Sequence, residues 1–516
     1  MSQTDLADAA APAEQPAPPA AGRPPAGRQP FARRPVAIIA GVLTAALLIT
    51  SDRYGYYGDE LYFIVAGRHL AWGYADQPPL LPLLAHALNA LAPGNLVVLR
   101  LPATLLSGLG VLLCAQLARE LGGQRRAQVL SAGAFAVSPI VVVFGHLTIT
   151  PTLDVFCWTL VSWLLVRWIR VRDDRLLLWL GLAAAVDLQN KYLVGVLLLA
   201  LAGSVAAVGP RELLRRPPLW AGSLFAVLVT LPSLLWQAQH HWPQADMTSA
   251  IAAEDDRLYG GRFGFLPLAL SMAGFPLLLL MCAGLWRLLR MPELRAYRFL
   301  GWAALATTAF FLLSDGRSYY LAGLFPVLWA AGAVSLQHRP AARGWGWGHS
   351  TVSFVICAVV AVAELPLYPF SSIAKMPYAF NFSTAETIGW PQLADTVAAA
   401  YRALPADEQQ HAVVVTDTFW AQGALELYGP ARGLPQAYSP QRGAWYFGAP
   451  PDDSGAVLYV GGDEAKLRGE FTTVRRVATV DNGHGVKNLD QGKAVWLCQG
   501  LHTPWSQLWP GLREFA

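Results

Sequence analysis

Long apolar runs recur from about residue 36 to residue 367, each closed by a short polar or basic connection. They lie near 36–50, 96–118, 127–144, 153–169, 176–186, 192–208, 219–236, 265–289, 299–313, 321–336 and 352–367. About 20 apolar residues suffice for a helix to cross the hydrocarbon of a bilayer. Charged residues make up only 14% of the 516, against about 25% in a soluble domain. The pattern predicts a multi-pass α-helical membrane protein with about 11 transmembrane helices, counting one for each run.

The arginines give this bundle a direction. Arg33-Arg34, Arg119/Arg125/Arg126, Arg167/Arg170/Arg172/Arg175, Arg211/Arg215/Arg216, Arg287/Arg290/Arg295/Arg298 and Arg339/Arg343 fall in alternate connections. Such connections stay cytoplasmic. The other set carries Asp59-Glu60, Asp76, Asp154, Asp187, Asp246, Glu254-Asp255-Asp256 and Asp315, which places the acids on the external face. An odd number of spans then leaves the N-terminus inside and the C-terminus outside, in a plasma-membrane protein.

Both ends differ from the middle. Residues 1–30 are rich in Ala, Pro and Gln; they are expected to form a disordered cytoplasmic tail and do not read as a cleaved signal peptide. The transmembrane domain spans 31–367, with a first external loop over 51–95. From 368 to 516 long apolar runs stop. Trp390–Leu404 reads as an amphipathic helix, Ala412–Thr416, Ala456–Val460 and Ala494–Leu497 as buried strands, and Gln422–Tyr428 and Asp463–Arg468 as helices. This predicts a small extracytoplasmic α/β domain. The five cysteines fit neither a disulfide framework nor a zinc pattern. No Walker-type loop, Ser-His-Asp order or nucleic-acid motif is present.

The external loop concentrates the candidate chemistry. Asp59-Glu60 lies just past the first run, and a carboxylate against a low-dielectric wall gains proton affinity and can act as a general base toward a hydroxyl. The same pair also suits the first turn of a helix. Asp76-Gln77-Pro78-Pro79 enters the next helix in extended form or starts it with proline. Asp154 lies at a span end, where an acid usually has a partner or caps the helix. Lys191 and Arg317 are the external cations, one a point charge and one a planar fork, suited to phosphate or to interfacial anchoring. His240 and His241, near Asp246, read either as metal ligands or as interfacial polar residues.

Asp59-Glu60-Leu61-Tyr62 followed by Tyr74-Ala75-Asp76-Gln77-Pro78-Pro79-Leu80 resembles the membrane glycosyltransferases of the protein-mannosyltransferase/aminoarabinose-transferase superfamily, the bacterial family 39-like branch of the GT-C fold. The resemblance extends to Thr150–Asp154, Asn190-Lys191-Tyr192, His241-Trp242-Pro243, Arg317–Leu321 with Pro326, Gly423–Glu426 and Trp445–Gly448. It implies a GT-C-like fold and transfer of a sugar, with inversion, from a polyprenyl-phosphate donor to an extracytoplasmic acceptor hydroxyl on protein, lipid or glycan. Nucleic acid is not an expected partner; membrane lipid is. Asp59 matches the catalytic acidic position, with Glu60 beside it. Lys191, Arg317, Tyr319, Tyr320, Tyr74 and Gln77 would bind the donor and its phosphate, and Asp154 would support the site. Gln77 stands where aminoarabinose transferases carry a lysine, so Arg317 or Lys191 would have to supply that charge. The resemblance makes no cofactor certain; a divalent metal at Asp76, His240 and His241 is left open.

Two other classes compete. A lipid or solute transporter would place charges mid-membrane and show inverted halves, which are not visible. A non-catalytic envelope scaffold would make Asp59 neutral and the outer domain decisive.

Overall fold

The computed structural model describes residues 29–337 and 345–515. All but the last two residues of the expected tail 1–30 lie outside these, as do Arg339 and Arg343.

The apolar runs are helices. In chain order they are α1 (Arg33–Thr50), α2 (Gly58–Ala66), α3 (Leu80–Leu91), α4 (Leu96–Glu120), α5 (Arg125–Ala136), α6 (Pro139–His146), α7 (Thr150–Val171), α8 (Arg175–Leu188) and α9 (Val194–Val208). Then follow α10 (Pro217–Gln239), α11 (Pro243–Tyr259), α12 (Gly261–Ala273), α13 (Leu278–Arg290), α14 (Arg298–Leu313), α15 (Phe325–Leu336) and α16 (Trp345–Ala363).

Among the described residues, six helices are long and apolar enough to cross a membrane, or up to eight if each bent pair counts as one span. The run 127–144 is such a pair, α5 and α6, bent by 59° where Pro139 opens α6. The run 265–289 is the other, α12 and α13, bent by 105° at Gly274, whose φ of 101° only glycine adopts without strain. The runs 176–186, 192–208 and 352–367 also form helices but fall outside those eight, so the expected count of 11 is not reached by length and composition. Close backbone approach holds the bundle together: a Cβ on Gly284 of α13 or Gly332 of α15 would enter the facing backbone at Leu328 or Leu280. Small residues at helix contacts are the usual means of tight packing in lipid.

Three arginine-rich connections meet at one end of the bundle. Arg167 and Arg170 bind the buried Glu120 at 2.8 and 2.5 Å, Arg172 binds Glu212, and Arg216 lies 3.7 Å from Asp174.

The C-terminal part carries α17 (Phe370–Ile373), α18 (Tyr378–Ala385), α19 (Trp390–Arg402), α20 (Ala406–Gln410), α21 (Phe419–Tyr428), α22 (Glu464–Glu470) and α23 (Trp505–Leu508). Its strands are β1 (Val413–Thr416), β2 (Ala437–Tyr438), β3 (Val457–Val460), β4 (Phe471–Thr479) and β5 (Ala494–Leu501). They form one sheet in the order β2-β1-β3-β5-β4. β1 runs parallel to β2 and β3, and β5 antiparallel to β3 and β4. Central β1 is buried on both faces, which explains its uninterrupted Val-Val-Val-Thr. β2 and β4 were not expected. In β4 the buried residues Phe471 and Val474 are three apart, and a register shift between Arg476 and Ala478 disrupts the alternation by which a strand is read.

This sheet domain does not sit apart from the loop 51–95. Tyr56, Leu61, Tyr62, Phe63 and Tyr74 of the loop share one apolar core with Trp390, Leu393, Phe419, Ala424 and Leu425. The Trp390 indole donates to the Tyr56 carbonyl at 2.8 Å. At Gly58 a Cβ would overlap the Trp420 ring, and at Gly443 it would overlap the Tyr62 hydroxyl.

Candidate active site

α2 carries two neighbouring carboxylates that point to different surroundings, because consecutive helical residues are turned about 100° apart. Glu60 points inward. Arg100 of α4 grips it with two bonds, Nε to Oε1 at 2.8 Å and Nη2 to Oε2 at 2.7 Å. Both side chains are fully buried. The backbone N–H of Tyr57 and of Thr148 each donate to Glu60 at 2.9 Å. Arg100 also donates to the carbonyls of Ser51 at 2.7 Å and Gly55 at 2.8 Å. Glu60 is thus both the first-turn acid of α2 and half of a closed ion pair. The expectation that it stands with Asp59 in the chemistry is corrected: its oxygens are spent on fixing α2 to α4 and to the α6–α7 link.

Asp59 points outward and is half-buried. The indole N–H of Trp420, from α21, donates to its Oδ1 at 2.9 Å. Among the described residues no other donor reaches the carboxylate. Burial raises its pKa above the ordinary carboxylate value; the Trp420 bond and the charges of Arg442, Lys191 and Arg317 pull it back only in part.

Those three cations, whose charges act on the carboxylate, come from different elements. Lys191, in the α8–α9 link, lies 4.6 Å from the Tyr320 ring centre and 5.5 Å from that of Tyr319, and is 3.5 Å from the Thr150 hydroxyl. It has no acidic partner within salt-bridge distance among the described residues. Arg317 is held by Glu254 of α11 at 2.5 Å, with Asp255 at 3.6 Å. Arg442 lies 3.7 Å from the same Glu254 and 4.8 Å from the Phe419 ring centre. Tyr319 and Tyr320 meet edge to face at 4.9 Å, forming an aromatic wall beneath Lys191.

Asp76 accepts from the Tyr62 hydroxyl at 2.9 Å. Burial pushes its pKa up to about 6; the Tyr62 bond and Arg442 lower it, while Asp59 raises it. Gln77 is buried, and its amide nitrogen has no hydrogen-bond partner among the described residues. Tyr74 does not meet its expected role in donor binding. Its hydroxyl donates toward the carbonyls of Ala66 and His69 at 3.1 Å and accepts from the Ala71 N–H at 3.2 Å, so it braces the chain as it leaves α2. Asp154 accepts from the Asn190 amide at 2.8 Å, and Asn190 also donates to the Thr150 carbonyl at 3.0 Å. This cluster fastens the start of α7 to the link that carries Lys191.

The three residues considered for a metal are engaged separately. Asp76 holds Tyr62. His240 stacks on Trp236 with ring centres 3.9 Å apart and its Nδ1 lies 2.8 Å from the Trp236 carbonyl. His241 is exposed, with φ of 62°. Among the described residues no group of three or more His, Cys, Asp or Glu side chains is gathered to hold a metal.

Trp420 and Arg442 were not singled out from the sequence. Both come from the sheet domain, more than 350 residues after Asp59, and neither carries a local motif. Arg442 adopts φ of 51°, a left-handed conformation uncommon outside glycine; nothing in its neighbours signals this.

Residues 76–236 match the family described as dolichyl-phosphate-mannose-protein mannosyltransferase. No curated protein matches the chain. The structure is similar to that of ArnT from Cupriavidus metallidurans bound to undecaprenyl phosphate, with a TM-score of 0.57 at 17% identity, covering 90% of this chain and 97% of that one. The apo state of the same protein gives a TM-score of 0.58 at 17% identity and the same coverage. Archaeal oligosaccharyltransferase AglB from Archaeoglobus fulgidus, in complex with an inhibitory peptide and a dolichol-phosphate, gives 0.50 at 11% identity, covering 78% of this chain and 63% of that one. At these identities the likeness is one of fold.

Proposed function

We propose, from the premise that the chain is a membrane glycosyltransferase of the GT-C superfamily, that it transfers a sugar from a polyprenyl-phosphate donor to an acceptor hydroxyl. The reaction takes place on the extracytoplasmic side of the plasma membrane. The observation that carries this reading is a half-buried carboxylate, Asp59, with one oxygen held by Trp420 and the other unclaimed, acted on by the charges of Lys191, Arg317 and Arg442.

In this reading Asp59 takes the proton of the acceptor hydroxyl. The acceptor oxygen attacks the anomeric carbon from the face opposite the phosphate. The bond between that carbon and the phosphate oxygen breaks, so the sugar inverts and the lipid phosphate leaves. Raised proton affinity suits a base working near neutral pH. The leaving phosphate gains negative charge as the bond breaks, and fixed cations aimed at that charge stabilise the transition state more than the ground state. Lys191, unpaired against its tyrosine wall, and Arg442 take this role, joined by Arg317 when Glu254 gives way to phosphate. Glu60 and Arg100 act one step removed, by holding α2 so that Asp59 faces the cations.

The test is sugar transfer by the purified full chain in lipid, using a radiolabelled polyprenyl-phosphate sugar and a hydroxyl acceptor pool from the cell envelope. Release of polyprenyl phosphate coupled to labelled acceptor is expected, and its loss in Asp59→Asn with the fold retained. Full transfer by that variant would overturn the role of Asp59; absence of any release from the wild type with all envelope acceptors would overturn the reaction.

A further inference from the structure

At the end of α14 remote from Arg317 lies an open cavity of 590 Å³. α14 has 16 residues, so this cavity is separated from the Asp59 region by about 24 Å of helix. Arg211, Arg290, Arg295 and Arg298 line it together with Val208, Leu289 and Trp302, and no acidic residue does.

Basic residues at one end of a membrane bundle are ordinary, but these four converge on one cavity. Arg167, Arg170, Arg172 and Arg216 at the same end are all matched to Glu120, Glu212 or Asp174. Among the described residues, none of the four cavity arginines has a carboxylate within salt-bridge distance. The Nε of Arg298 is buried with no hydrogen-bond partner among the described residues. Arg290 rests on the Trp286 ring at 5.6 Å, which leaves its N–H groups free of any carboxylate. Converging guanidinium groups repel one another, and a buried donor without a partner costs free energy. An anion with several acceptor oxygens relieves both, and phosphate fits the arginine fork.

The flanks say where that anion comes from. Trp286, Trp302 and Val208 are exposed by 59%, 49% and 43% beside the basic lining. An apolar surface next to a basic pocket at helix ends matches a lipid, with its head group in the pocket and its chains against the helices.

We propose that this cavity binds the phosphate head group of an anionic phospholipid, at the opposite end of the bundle from Asp59. Native mass spectrometry of the full chain in detergent tests this, with phosphatidylglycerol, phosphatidylcholine and inorganic phosphate added separately. The expected result is one retained phosphatidylglycerol per chain, at least about tenfold better retained than phosphatidylcholine, each tenfold corresponding to 1.4 kcal/mol. Arg295→Gln/Arg298→Gln should abolish the preference. Because Arg298 is partly buried, Arg211→Gln/Arg295→Gln, at two exposed positions, provides a second variant that folds, and it should reduce retention in the same direction. Unchanged retention in both variants, equal retention of phosphatidylcholine, or binding of inorganic phosphate as tight as that of the lipid would each overturn the assignment.

Discussion

The two carboxylates of α2 define two polar regions that begin one residue apart and end in opposite states. The region under Glu60 is closed. Each of its charges faces a partner, Arg100 donates four bonds, and both side chains are buried. The region above Asp59 is open. It holds one direct hydrogen bond to the carboxylate and three cations drawn from three elements. The difference teaches that a charged residue near a membrane surface is read by its unsatisfied valence more than by its type. A closed pair fixes geometry; an open one keeps capacity for a substrate.

The first way to break this comparison is Asp59→Asn. If the open region carries the chemistry, transfer should fall by about 10²–10⁴-fold, the usual range for a general base, while thermal unfolding in detergent stays within a few degrees of wild type. Retained activity would make the two carboxylates equivalent. The closed region should fail in the other way. Arg100→Ala leaves Glu60 buried without its cation, which costs about 3–5 kcal/mol. A large fall in unfolding temperature with activity lost in proportion to folded protein is the expected readout; loss of turnover with stability intact would move Glu60 into the chemistry.

A smaller effect sharpens the same contrast. Trp420→Phe keeps an aromatic ring over Gly58 but removes the donor to Asp59. A hydrogen bond to a charged group contributes about 1.5–3 kcal/mol, and about 1.4 kcal/mol is one pKa unit. The bond lowers the pKa of Asp59, so its loss raises that pKa. The acid limb of kcat/KM should therefore move to higher pH by about one to two units, given that each 1.36 kcal/mol of lost stabilisation is one unit. An unmoved limb would show that Trp420 only packs.

Much of this was legible before the structure, and the exceptions have physical reasons. The membrane bundle, the loop bearing Asp59 and Asp76, and the sheet built around Val413–Thr416 all follow from apolar run length, charge placement and composition. The fate of Glu60 did not, because its partner Arg100 lies 40 residues away inside an apolar run, where a single arginine carries no local pattern. Tyr74 entered the donor site only through the family resemblance, yet its hydroxyl is spent on three backbone groups. Trp420 carries no local motif in the sequence; only the docking of α21 on α2 turns its N–H toward Asp59. Runs 127–144 and 265–289 each looked like one straight span, but a proline and a positive-φ glycine bend them.

The finest division inside the open region lies between Asp59 and Asp76, and it fixes the sign of the smallest expected effect. Burial pushes the pKa of Asp76 up to about 6 and the charge of Asp59 raises it further; by the same repulsion an ionised Asp76 raises the proton affinity of Asp59. Asp76→Asn removes that repulsion while leaving an oxygen to accept from Tyr62. Asp59 then holds its proton less tightly, stays ionised to lower pH, and the acid limb of kcat/KM should move down by a few tenths of a unit, the size of an interaction across a partly solvated gap. This is the reverse of the shift expected for Trp420→Phe, so the pair of variants brackets the wild-type profile from both sides. The two profiles, measured at one ionic strength, distinguish an electrostatic neighbour from a participant. If Asp76→Asn instead abolishes turnover at every pH, Asp76 belongs with Asp59 in handling substrate, and the open region holds two reacting carboxylates where its geometry argues for one.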